Sequence, residues 1–371
     1  YNMLGIIKAI YEEPRFKVVV SGVHSKYHIQ QTGIRPGCPL SPFLFILVMT
    51  VLMFDVRTRL NTKKQNEPID GITFADNIYA DDTLIFGTHT QNINKLLKEI
   101  EIESLYYNMK LNYKKCVNIT ANQIQSSVKF GNGTLVPRAK QAVYLGSILS
   151  DTCDNHIEIN NRIADCICTA NRMRIFWNKA ENEEKWKIQV FDAIIRSKLL
   201  YSLECIQLTR VEQARLDAFQ MKNLRRILHI PPTNVDREWT NQKVYQKVHE
   251  VLGKPVKRFS EMWRQAKFNL LGHILRCPWG NPMRQVVFEG LTWEPRIIPF
   301  RRVGKPREQW IVATMQEAFD KVDTVVPRRQ FDPGDPVHQR VLVDAARTRV
   351  KIFATKPKPD VKNIFAWKPG D

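Results

Sequence analysis

Tyr79-Ala80-Asp81-Asp82 places two adjacent carboxylates between the apolar segments Ile72 to Ile78 and Leu84 to Phe86. Alternation through Ile78-Tyr79-Ala80 and the β-rich run Thr83-Leu84-Ile85-Phe86 predict two strands joined by a short turn, and Asp tolerates the backbone that such a turn requires. The acids are thereby carried on a stiff support. Hard divalent cations such as Mg²⁺ take oxygen ligands and bridge carboxylates to phosphates, so the pair suits phosphoryl or nucleotidyl transfer. Taken alone, the same pair is equally an ordinary solvated turn. Phe74-Ala75-Asp76-Asn77 is a weaker copy, with Asn in place of the second acid, and reads as a strand end.

The neighbouring segments shift that balance. Gly33-Ile34-Arg35-Pro36-Gly37-Cys38-Pro39-Leu40-Ser41-Pro42 is a stiff Gly/Pro loop running into the apolar stretch Phe43 to Met53, which is long enough for a helix. Gly37 lacks a Cβ and lets a base or sugar approach; Pro39 and Pro42 fix the loop, and Ser41 is placed to cap the helix with Pro42 at its first position. A strand-to-helix connection without a ligand has the same composition. Downstream, Leu111-Asn112-Tyr113-Lys114-Lys115-Cys116 sets a basic pair after a helical stretch from Asn92 to Met109. Val143-Tyr144-Leu145-Gly146-Ser147-Ile148 then reads as a short apolar strand with a Gly inside it.

In this order the four motifs resemble the later palm motifs of reverse transcriptases, most closely those of non-LTR (LINE-type) retrotransposons. The resemblance implies an α+β fold: a truncated polymerase palm, a small antiparallel sheet with helices, followed by an α-helical thumb and a helical C-terminal region. It implies an RNA-directed DNA polymerase that adds deoxynucleoside triphosphates to a DNA primer on an RNA template, with Mg²⁺ (or Mn²⁺) as cofactor. Gly33 to Phe45 is similar to the family's template and nucleotide loop, with Arg35, Pro36 and Gly37 at the contact. On the same basis Asp81 is a direct metal ligand, Asp82 a supporting acid, and Tyr79 lies beside the primer end. Lys115 falls where a cation offsets charge on the leaving pyrophosphate, and Tyr144, Leu145 and Gly146 match the primer grip. Asn161 to Ala164, Leu199 to Glu204, Leu224 to Leu228, Leu271 to Arg276 and Gly304 to Trp310 are phrases typical of the family's thumb and C-terminal region.

Two departures accompany the resemblance. The family's usual Gln in the nucleotide loop is Pro36 here, which offers neither an amide donor nor a side-chain hydrogen bond. The family's first metal Asp lies upstream of that loop, in a strand before a helix, and Tyr1 to Tyr11 already read as that helix and contain no Asp. The expectation is therefore a fragment or degenerate copy, inactive alone.

Charge agrees with a polynucleotide partner. Lys+Arg 56 against Asp+Glu 37 leave a net charge of +19, with most of the surplus after residue 150. Ile163, Ile167 and Ala170 recur at helical spacing, as do Phe219, Leu224 and Ile227, with Lys222, Arg225 and Arg226 largely between the apolar positions. Those three basic residues are candidates to track a nucleic-acid backbone, although any one of them is equally a solvated charge. Val256 to Leu275 reads as a further helix with Phe259, Trp263, Leu270 and Ile274 in its core, and His273 as a packed or capping histidine.

These readings divide the chain into a partial palm at 1–152, a helical thumb at 153–232, a helical C-terminal region at 233–325 and a low-order tail at 326–371. Pro231-Pro232 and Pro295 to Pro306 are the expected breaks, and repeated Pro among charges predicts an extended tail. Seven cysteines, an odd number widely spread, favour reduced thiols. Cys166-Ile167-Cys168 is too tight for usual zinc spacing and favours burial. Phe43 to Met53 is too short to cross a bilayer, and no signal peptide is legible. No membrane partner is expected, and intracellular placement, nuclear or cytosolic, follows from the family's substrate.

Overall fold

The computed structural model describes residues 2–31, 33, 37–60, 69, 72–121, 127–179, 183–297, 309–323 and 331–354. The fold class is α+β, with helices and short antiparallel ladders. Two compact units partition the chain: Tyr1–Asn66, Asp76–Cys116 and Ser127–Val136 form the first, and Glu67–Ala75, Val117–Ser126 and Pro137–Asp371 the second. The antiparallel pairing expected in the first 152 residues takes the form of separate two-stranded ladders.

In the first unit, α1 (Met3–Glu12) starts where the Asn2 side chain accepts from the Gly5 amide, and none of its residues is buried. Two nested hairpins follow, β1 (Arg15–Phe16) pairing with β4 (His28–Ile29) around β2 (Val19–Val20) and β3 (Val23–His24), and every residue of these four strands is exposed. Packing begins at α2 (Ser41–Arg59). Ser41 is already helical rather than a cap, and its buried hydroxyl pairs with the Tyr11 hydroxyl at 3.0 Å. Leu52, Met53 and Val56 bury one stripe of α2, while Phe43, Leu47, Val51 and Phe54 remain exposed.

The apolar run does not stop at Met53, because the chain continues helically through Asp55 and Arg57. This gives a 19-residue helix containing an 18-residue window of mean hydropathy 1.6, enough by length and composition to cross a membrane, against the shorter span expected. Polar ties at its end place α2 with the core of its own unit. Tyr107 donates to Asp55, Arg57 pairs with Asp76 at 2.6 Å, and Arg59 pairs with the buried Glu103. Buried charges of this kind need partners.

Hairpin β5 (Asp76–Tyr79) and β6 (Asp82–Ile85) leads into α3 (Thr90–Tyr106). The helix ends before the expected Met109 because Asn108 adopts φ 56°, donating to Leu105 while Met109 donates to Ser104. These are the paired bonds of a Schellman stop. Leu97, Val128, Phe130 and Val136 form a small core against which Ile85, Ile93 and Leu111 pack.

In the second unit, Gln141–Tyr144 (β7) and Ser147–Ser150 (β8) form a hairpin, correcting the single strand expected there. Helices α4 (Asn155–Arg172), α5 (Arg174–Lys179), α6 (Glu184–Phe191), α7 (Ser197–Leu200), α8 (Arg210–Ile227) and α9 (Asn241–Leu252) follow, with a π-helical stretch from Asp192 to Arg196 joining α6 to α7. In α4 the buried stripe is Ile159, Ile163, Cys166 and Ala170, whereas Ile167 and Cys168 are exposed. Phe219, Leu224 and Ile227 of α8 join the same apolar cluster.

Arg225 corrects a site expectation. It is buried, and its guanidinium donates to the Pro231 and Trp239 carbonyls, Thr233 and Asn241 at 2.6–3.0 Å. Those bonds staple the Pro231-Pro232 segment to α8, so the expected boundary at residue 232 does not divide the core. The division falls inside α10 (Phe259–Arg276): Phe259 and Trp263 belong to the first cluster, while Phe268, Leu271, Ile274 and Leu275 belong to a second. His273 is exposed rather than packed. After α11 (Pro282–Val287), the second cluster is completed by α12 (Trp310–Val322) and α13 (Pro336–Arg347). The expected break at Pro295 to Pro306 lies largely outside the described residues.

The low-order tail fails as an expectation over 331–354. Asp335 caps α13 and Pro336 occupies its first turn, where a missing N–H costs nothing. Phe331, Leu342, Val343 and Phe353 are buried. A Cβ on Gly272 of α10 would lie 2.8 Å from Cδ1 and 2.9 Å from Cβ of Phe353. Gly272→Ala is therefore expected to destabilise the protein by about 1–3 kcal/mol, although Ala is the better helix former. Urea denaturation measures this, and a stabilised variant would contradict the close packing of residues 351–353 on α10.

Candidate functional site

Asp81 and Asp82 sit at the tip of the β5–β6 hairpin, but not together in its turn. Tyr79 pairs with Asp82, leaving Ala80 and Asp81 as the two-residue connection. Ala80 takes φ 52°, a left-handed conformation that costs an L-residue roughly 1–2 kcal/mol. Both carboxylates are exposed, and Tyr79 is 65% exposed beside them. The base of the hairpin is anchored on both strands: Asp76 by Arg57, and Ile85 by the small apolar core. Asp76 is thus an ion-pair partner, as its reading as a strand end allows.

Lys114 and Lys115 are exposed on a turn of the same unit, where the Lys115 amide donates to Asn112 at 3.0 Å. The turn is held by Leu111 and Cys116 against the apolar core and by Tyr113 stacking on Phe130 at 4.3 Å. A cavity of about 390 Å³ lies next to it, lined by Lys98, Glu101, Leu105, Lys110 and Tyr113; Asp81, Asp82 and Lys115 are not among its lining residues. In the Gly/Pro loop, Gly37 has φ 79° and open space where a Cβ would stand, so the backbone conformation and not a neighbouring protein atom calls for glycine. Arg35 and Pro36 lie outside the described residues. Hydrogen bonding with the Ser41 side chain, and then with the Leu40 and Ser41 backbone, holds the Cys38 thiol below its ordinary pKa. Burial pushes Cys166 up to about 11.

Metal fit can be judged from the donor set. A hard cation takes six or more oxygens, and Asp81 and Asp82 supply adjacent carboxylates. Among the described residues no group of three or more His, Cys, Asp or Glu side chains could hold a metal. Mg²⁺ is commonly held by one or two carboxylates together with waters and substrate phosphates, a donor set that Asp81 and Asp82 fit.

In the second unit, Tyr144 pairs with Ser147 and the turn is Leu145-Gly146, with φ 49° and 76°. Positive φ at both central residues marks a type I′ turn, where Gly is at ease and Leu is strained. Lys222 is exposed, whereas Arg226 is half-buried and donates to Asn171 at 3.4 Å, so only Lys222 of the three basic residues keeps a free-standing surface position. Sequence reasoning missed Glu158 and placed Arg162 and Tyr201 only within downstream phrases, yet all three surround the Leu145-Gly146 turn. The Glu158–Arg162 spacing of four on one helix was a legible signal for the pair, but not for the turn it contacts.

Residues 2–149 match the family described as reverse transcriptase (RNA-dependent DNA polymerase). The matched stretch contains Tyr79 to Asp82, Lys115 and Tyr144 to Gly146, and it ends within β8.

Ala80→Gly is expected to remove the left-handed strain and slow amide exchange in the Asp82–Ile85 ladder, whereas Ala80→Val is expected to hasten it; the reverse order would contradict the turn geometry. Because the Cys38 pKa is lowered and that of Cys166 raised, Cys38 becomes a thiolate at lower pH. Iodoacetamide labelling near neutral pH, read by mass spectrometry, is expected to modify Cys38 well before Cys166.

Proposed function

We propose that, with the reverse transcriptase match of residues 2–149 as its premise, this chain is the polymerase part of a non-LTR (LINE-type) retroelement protein. Its partners are an RNA template, a DNA primer and deoxynucleoside triphosphates, and its reaction class is nucleotidyl transfer. The observation that carries the reading is the anchored hairpin that exposes Asp81 and Asp82 at a two-residue turn within the matched stretch. Tyr79 beside them suits a contact with the primer end, and Lys115 on its stiff turn suits charge offset at the triphosphate. Tyr144, Leu145 and Gly146 serve as the primer grip, and Lys222 meets the duplex backbone. The downstream phrases around Asn161 to Ala164 and Leu271 to Arg276 support the LINE-type assignment. A nuclear or cytosolic site of action follows from these substrates.

A divalent cation, Mg²⁺ or Mn²⁺, would be held by Asp81 and Asp82 and would supply charge neutralisation at the reacting phosphate. A second reading for the chain acting alone is that it binds primer–template without extending it. The net charge of +19 fits such binding.

Primer extension on a recessed RNA/DNA hybrid, with Mg²⁺ or Mn²⁺, is expected to give no incorporation by this chain. Filter binding is expected to detect the hybrid at low salt and to lose roughly a thousandfold in affinity between about 50 and 200 mM salt if some six phosphates are contacted. Incorporation that disappears in Asp81→Ala would overturn the inactivity and retain the polymerase reading. Failure to bind the hybrid at any salt would remove both.

A further inference from the structure

The Leu145-Gly146 turn is gripped from the helical side by side chains to which the reading above gives no role at the turn. Arg162 of α4 donates through Nη2 to the Gly146 carbonyl at 3.0 Å and to the Ser147 hydroxyl at 3.1 Å, and through Nη1 to the Lys198 carbonyl at 3.3 Å. Its Nε is paired with Glu158, whose other oxygen accepts the Ile148 amide at 2.8 Å. Tyr201, following α7, donates to the Leu145 carbonyl at 3.1 Å and lies with its ring under the Arg162 guanidinium at 5.4 Å. Both turn carbonyls are therefore engaged by side chains, one from each helical segment.

The arrangement exceeds what a two-residue hairpin needs. A type I′ turn already matches strand twist, and the Arg162 and Glu158 side chains are only 10% and 5% exposed, so their desolvation is costly. That cost is spent on an exposed tip: Gly146 is exposed, and Val143 on the strand leading to it is 72% exposed. A rigid, solvent-facing turn bordered by an apolar side chain is a surface for positioning a ligand.

We propose that Arg162, Glu158 and Tyr201 are positioning residues that fix the peptide planes of the Leu145-Gly146 turn, so that the turn and helices α4 and α7 hold a recessed primer terminus as one body. The assignment rests on the reading of Tyr144 to Gly146 as a primer grip.

Affinities of the full chain for a recessed RNA/DNA hybrid and for a blunt hybrid of equal length test it, together with melting temperature and amide exchange at Ser147 and Ile148. Tyr201→Phe removes only the bond to Leu145, and Arg162→Lys keeps charge but loses the fork. Wild-type chain is expected to prefer the recessed end. Each variant is expected to lose about tenfold of that preference, with blunt-end affinity unchanged and faster exchange at the turn. If Arg162→Lys melts early, Tyr201→Phe carries the comparison. Preference retained in Tyr201→Phe would overturn the clamp alone, as would equal losses on both hybrids. A wild-type chain with no preference would overturn the primer-grip reading, and the clamp with it.

Discussion

Two hairpins depend on one backbone constraint: a connection of two residues forces left-handed φ on side chains that resist it. Ala80 accepts this at the acidic tip and Leu145 at the other, each at a cost of roughly 1–2 kcal/mol. Such strain persists only where the surroundings determine the conformation independently. At Ala80 the surroundings are the four-pair ladder, the Arg57–Asp76 ion pair and the anchoring of Ile85. At Leu145 they are the Arg162 fork, its Glu158 partner and the Tyr201 hydroxyl. The residues nearest the proposed chemistry are thus held from below, and their tips are left clear.

The two units reach stability by different means. In the second, the shared helix α10 contributes to two apolar clusters at once, and buried polar groups are converted into staples, as Arg225 shows for the Pro231-Pro232 segment. In the first, the packed part begins at α2, while α1 and the four strands before it bury nothing. Phe43, Leu47 and Phe54 of α2 are likewise exposed.

Local signals account for what could be read early. The acidic hairpin and the helices around Ile163, Leu224 and Trp263 follow from short-range periodicity and turn chemistry, and the structure contains them. Misreadings arose where the deciding partner is distant in sequence. Arg225 lies near the exposed Lys222 and looks equally wet, yet carbonyls from 231 and 239 draw it inward. Gly146 was legible as a glycine inside an apolar run, but only the register Tyr144 to Ser147 makes it the second residue of a turn. The tail's prolines suggested disorder, whereas one of them begins a capped helix that packs on α10.

By itself the sequence determined the chemistry on offer: paired carboxylates at a turn, a basic surplus, and helices with apolar stripes, because each is a property of neighbouring residues. Only the tertiary structure decided which charges are spent inside the fold and which remain at its surface. It separated Asp76 and Arg225 from Asp81, Asp82 and Lys222, and it joined Arg162 and Tyr201 to a turn many residues away. The reason is that burial of a charge depends on partners brought together by packing, and packing is a non-local consequence of where the apolar stripes meet.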